Sequence, residues 1–141
     1  MPSLHALLHD ARFHRPWRVL LLFLMAVVSW FAFAPDPGGP GFAHADKLKH
    51  VLAFAALGFA ATLAGRASVP RQWRVVLSLL AYGAFIEVVQ SYLPSRRGDW
   101  LDMLADALGV AVGMALVGAM RKSWRLADHT RGLWLAHAMS Q

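Results

Sequence analysis

Eight polar side chains stand out in a chain that is 57% hydrophobic and only 16% charged. They are Asp46, Lys47, His50, Glu87, Gln90, Arg96, Asp102 and Asp106. Carboxylates held together outside bulk water resist joint ionisation, so one can act as an acid while another acts as a base. On that ground Glu87 and Asp106 are candidate catalytic carboxylates, with His50 assisting. As a binding set, Lys47 and Arg96 suit a phosphate or carboxylate. Asp46, Glu87, Gln90, Asp102 and Asp106 suit hydroxyls or amines, and His50 belongs to the same binding set. Oxygen and imidazole donors of this kind could also ligate a divalent ion. No stretch has a recognised metal-ligand spacing, however, so no metal or other cofactor is assigned. Ser91 and Ser95 lack a partner base readable from sequence.

The elements that must position these groups are membrane helices. A soluble domain carries about 25% charged residues, well above the fraction here. About 20 apolar residues cross a bilayer as a helix. Four such stretches occur, at 17–34, 48–65, 74–93 and 102–120. "PDPGGPG", "SVPR" and "PSRRG" punctuate them. The expected fold is therefore all-α, a bundle of four transmembrane helices over residues 1–121. Residues 122–141 form a cytoplasmic tail, either an amphipathic surface helix or a mobile polar segment.

The net charge of +6 is distributed as a topology signal rather than as a nucleic-acid footprint. Arg12, Arg15, Arg18, Arg66, Arg71, Arg74, Arg121, Lys122, Arg125 and Arg131 fall on one side of a four-span arrangement. Lys47, Lys49, Arg96 and Arg97 fall on the other. The positive-inside rule then puts both termini in the cytoplasm of a multi-pass inner-membrane protein. Cleavage of the first span after "AHA" (43–45) is the minor alternative. Cysteine is absent, which excludes disulfides and thiolate chemistry.

Helical periodicity gathers the polar groups into stripes. Gly83, Glu87 and Gln90 share one face of the third span. Asp102, Asp106, Gly109 and Gly113 share one face of the fourth. Asp46 and His50 open a face of the second that continues through Phe54, Gly58 and Ala61. At about 1.5 Å per residue, Glu87 and Asp106 both lie about 9 Å inside the outer helix end. Ionisable groups at such depth face the bundle interior or a wet cavity. "GVAVG" at 109–113 is a GxxxG pattern that lets helices approach closely; Gly58 and Gly83 are the matching small residues. Asp99 is read as a helix N-cap and Asp102 as a first-turn acid. Asp106 lies too deep for either role.

"DKLKH" at 46–50, "EVVQSYLPSR" at 87–96 and "DMLADALGVAVG" at 102–113 together resemble the VanZ-like family. The matching residues are Asp46, Lys47 and His50, then Glu87, Gln90, Pro94 and Arg96, then Asp102, Asp106, Gly109 and Gly113. One departure is Asp106, where the family often has asparagine. The family is named for a protein that lowers susceptibility to teicoplanin, a cell-wall-targeting glycopeptide. The resemblance thus implies a cell-envelope context and no particular reaction.

Three functions follow as expectations. The first is an outward-facing polar pocket that binds a lipid or cell-envelope head group, with membrane lipids and a lipid-linked or cell-wall ligand as partners and no nucleic acid. The second is a hydrolase or transferase acting on a lipid-linked substrate. The third is a structural or accessory subunit whose polar groups only hold helices together, Glu87 pairing with Lys47 or Arg96 and His50 with Asp102. The inner halves of the spans are apolar except for Thr62 and Ser78, which speaks against an ion pathway.

Overall fold

The computed structural model describes residues 14–35, 45–94 and 99–139. Most of the first loop, Arg12 and Arg96 lie outside the described residues. Four helices follow in order: α1 (His14–Phe33), α2 (Ala45–Leu63), α3 (Val69–Ser91) and α4 (Trp100–Met139). There is no strand among the described residues.

Three of the four, α1, α3 and the Trp100–Trp124 part of α4, are long and apolar enough to cross a membrane. The sequence leads to the same expectation for α2. That helix falls short because Asp46, Lys47, Lys49 and His50 crowd its first two turns. It is instead the most enclosed helix, burying Phe54, Leu57, Gly58, Ala60, Ala61, Thr62 and Leu63. By contrast α1 buries no residue. It exposes Val19, Leu22, Phe23, Trp30 and Phe31, side chains at home in hydrocarbon.

Small residues explain how α2 sits so closely on α4. A Cβ on Gly109 would lie 2.5 Å from the Val51 carbonyl oxygen and 2.9 Å from the Phe54 Cβ. One on Gly113 would strike the Ala55 carbonyl. From the other side, a Cβ on Gly58 would lie 2.9 Å from the Val110 carbonyl oxygen. The GxxxG face of α4 thus meets α2 backbone to backbone, the contact that small residues permit. Phe54, Leu57, Ala61, Leu79, Ile86 and Val110 form the main core, which α1 covers with Leu21, Leu24, Met25 and Val28.

Two boundaries differ from the sequence reading. α3 begins at Val69, because Pro70 in its first turn is pre-set for a helix start; "SVPR" therefore opens the helix instead of separating two spans. α4 continues without interruption to Met139, 40 residues in all. At about 1.5 Å per residue that is about twice the thickness of a hydrocarbon core. The tail sequence is thus an extension of the last helix rather than a separate element.

Candidate functional site

The ionisable residues of α2, α3 and α4 meet at the end of the bundle where α2 and α4 begin and α3 ends. His50 of α2 is central. With a proton on Nδ1 it donates to Asp106 Oδ1 of α4 at 2.8 Å. Its other nitrogen, Nε2, lies 3.8 Å from Glu87 Oε1 of α3. One imidazole therefore stands between two carboxylates from two different helices. Phe54, one turn further along α2, stacks near the imidazole with ring planes 9° apart. It is 1% exposed and forms the apolar floor.

A second layer lies nearer the rim. Lys47 Nζ donates to Asp99 Oδ2 at 2.7 Å and to Asp102 Oδ1 at 3.1 Å. Asp99 ties the layers together, since its backbone N–H donates to Glu87 Oε2 at 2.8 Å. Its Oδ1 also accepts from the Leu101 N–H at 2.9 Å, a capping contact at the start of α4. The Lys47 ammonium holds the Asp99 carboxyl below the usual carboxylate range, helped by that Leu101 bond.

Depth follows the same order. Asp99 and Lys47 are partly open, with side chains 38% and 29% exposed. Asp102 and Asp106 are 2% and 1% exposed, Glu87 8%. Two of these buried oxygens, Glu87 Oε1 and Asp106 Oδ2, make no hydrogen bond. Asp106 Oδ2 lies against Gly83 of α3, where any Cβ would collide with it. Gly83 is thus both a packing residue and the space that the carboxylate fills.

The pairing differs in part from the helix-glue expectation, whose Glu87–Arg96 alternative lies outside the described residues. Lys47 takes Asp99 and Asp102, not Glu87; His50 takes Asp106, not Asp102. The helices are rotated so that the first-turn lysine meets the first-turn acids, and one turn deeper His50 meets Asp106. Gln90 does not join the cluster. Its Nε2 donates to the Ala32 carbonyl of α1 at 3.0 Å, binding α3 to α1. Tyr92 and Trp100 are strongly exposed around the rim. Asp99, read from sequence only as a cap, is the residue that joins Lys47 to Glu87. Nothing in the helical spacing marks Tyr82, which donates to the Met25 carbonyl at 2.8 Å and meets Ser29 at 2.7 Å.

Asp46, His50 and Asp102 could hold a cation, since one ligand atom from each falls within 4.8 Å of the others. The Lys47 ammonium already neutralises Asp102 there, so a metal would have to displace it. A cavity of about 510 Å³ lies elsewhere, along α1, lined by Ala26, Ser29, Trp30, Phe33, Ala34 and Pro35. Its lining is mainly apolar and includes none of the ionisable residues of the cluster.

A family model for VanZ/LLP1 matches residues 11–121. The chain belongs to the VanZ/LLP1 family. Every described member of the cluster falls within the matched segment, as do the α2–α4 glycines. The match ends at Arg121, while α4 runs on to Met139. No curated protein and no solved structure matches this VanZ/LLP1 chain.

Proposed function

We propose that this VanZ/LLP1 membrane protein holds the head group of a lipid or cell-envelope molecule in its polar cluster, at the outer face of the bacterial cytoplasmic membrane. The observation that carries this reading is the pair of buried, unbonded oxygens, Glu87 Oε1 and Asp106 Oδ2. Burying a polar atom without a partner is costly, so a site that keeps two of them is suited to receiving donors. Five carboxylates, Asp46, Glu87, Asp99, Asp102 and Asp106, surround one lysine and one histidine. Such a balance repels a bare phosphate and favours the hydroxyl or amine groups of a head group. Lys47 is already committed to Asp99 and Asp102. The rim contact between Lys47 and Asp99 is the exposed part of the cluster and its natural entrance. The distribution of arginines supports the outward orientation, and the family resemblance supports a link to envelope or glycopeptide tolerance.

Glu87→Gln and Asp102→Asn test this. Both keep side-chain volume and remove charge. The expected result is loss of a co-purified envelope lipid in native mass spectrometry, and of any tolerance phenotype, with yield and melting temperature preserved. A lower melting temperature with lipid retention would show that the cluster only fastens helices.

A second reading is acid–base catalysis on a lipid-linked substrate. It is favoured by His50 standing between Glu87 and Asp106: the imidazole is hydrogen-bonded to Asp106, and a substrate group bridging its other nitrogen to Glu87 would complete an acid–base path. His50→Gln would then trap bound substrate without turnover, whereas simple binding would weaken.

A further inference from the structure

The opposite end of the bundle carries a second concentration of charge, of opposite sign. Arg18 of α1 donates from Nε to the Ala64 carbonyl at 3.0 Å. Arg71 of α3 donates to the Ala61 and Thr62 carbonyls at 2.7 Å and 3.3 Å. Two helices thus lend an arginine each to the C-terminal carbonyls of α2, the negative end of its dipole. Gly65 allows this, since a Cβ there would lie 2.6 to 2.9 Å from the Arg71 guanidinium.

Further cations lie around these two arginines. Arg18, Arg74 and Arg121 all lie within electrostatic reach of Arg71. His14 faces Arg18, Arg66, Arg71 and Arg121. Every carboxylate with a described side chain, from Asp46 to Asp106, belongs to the cluster at the other end. A guanidinium has five N–H donors; Arg18 donates one bond and Arg71 two among the described residues. Arg66 and Arg74 are exposed. Trp17 and Trp124 pack beside Leu63 and Val117 at the same end, and tryptophans of this kind sit at head-group depth.

We propose that this end is a phosphate-binding site, filled by the head group of an anionic lipid in the adjacent leaflet. Arg18 and Arg71, held by the carbonyls at the end of α2, anchor it, and Arg66 and Arg74 close on the phosphate beside them. Arginine suits the task because its fork bonds two phosphate oxygens at once. Basic pockets between membrane helices take such head groups.

The site can be tested in nanodiscs with the full chain. Wild type, R66Q/R74Q and a charge-matched control, R15Q/K122Q, would be compared in phosphatidylcholine discs, in discs containing phosphatidylglycerol, and in phosphatidylcholine discs with added inorganic phosphate. Arg66 and Arg74 are exposed and make no hydrogen bond or ion pair among the described residues, so their variants should fold. Phosphatidylglycerol should raise the melting temperature of wild type and of the control. In R66Q/R74Q the apparent affinity for that lipid should fall about tenfold. An equal response to inorganic phosphate alone, lost in the same variant, supports the phosphate site and replaces the lipid with a soluble ligand as its source. If R66Q/R74Q and R15Q/K122Q weaken to the same extent, the attraction belongs to the surface at large and the site is overturned.

Discussion

His50 of α2 and Asp106 of α4 are joined through Nδ1 and Oδ1 at 2.8 Å although 56 residues separate them. Neither group is suited to hydrocarbon alone, and each gives the other a reason to be inside. Asp106 is 1% exposed, so deleting its carboxylate should leave His50 without its acceptor in a dry site. Asp106→Ala should therefore lower stability by about 3 kcal/mol. Asp106→Asn keeps an oxygen for Nδ1 and should cost less than half as much. Thermal unfolding in detergent would measure both, and equal losses would show that the bond contributes little.

Gly83→Ala should disturb the same carboxylate from the side of α3. The added methyl meets Asp106 Oδ2 and then Phe54 Cζ at 3.2 Å. Overpacking of this kind costs about 2 kcal/mol. Its distinctive mark should be a shifted His50 imidazole resonance, since Asp106 must turn to make room. An unshifted resonance would mean that α3 moves instead.

Gly109 is held more tightly still, because two of its three nearest neighbours, the Val51 carbonyl and the Ala55 amide nitrogen, are backbone. Backbone cannot rotate away as a side chain can. Gly109→Leu should separate α2 from α4, at a cost of about 3 kcal/mol or more. Disulfide trapping between cysteines introduced on the two helices would report it as lost cross-linking. Retained cross-linking would count against the close approach.

The rim contact gives a pH dependence. Lys47 keeps the Asp99 carboxyl more acidic in the folded protein than in the unfolded chain. A group shifted in that direction stabilises the fold fully above the ordinary carboxylate range. The contribution disappears as pH falls through the lowered value. The melting temperature should thus decline on acidification below the ordinary Asp range, and Asp99→Asn should remove part of that decline. The effect is small because both partners are partly exposed. Identical pH profiles for the two proteins would refute the contact.

The stripes were legible in the sequence because helical spacing alone decides which residues share a face. The spacing of Asp102, Asp106, Gly109 and Gly113 was enough to predict one face both acidic and close-packed. The choice of partners was not legible. Whether Lys47 meets Glu87 or Asp99 depends on the rotation and axial offset of α2 against both α3 and α4, and periodicity carries neither. Asp99 illustrates the loss: its type suited a cap, which it is, but its bond to Lys47 and its backbone link to Glu87 exist only in three dimensions. Gly65 shows the same limit. A glycine after a helix is ordinary in sequence, and only the position of Arg71 explains it.

The described partners of Lys47 and His50 all come later in the chain, at Glu87, Asp99, Asp102 and Asp106. A ribosome delivers α2 first. Until α4 has emerged, the first turns of α2 have charged groups with most of their counterparts still unmade. The architecture therefore cannot be completed in the order of synthesis, and α2 must wait for the last helix. A chain stopped after Leu93 should be recognised by quality-control proteases as unfinished, even though two of its helices are fully fit to reside in lipid.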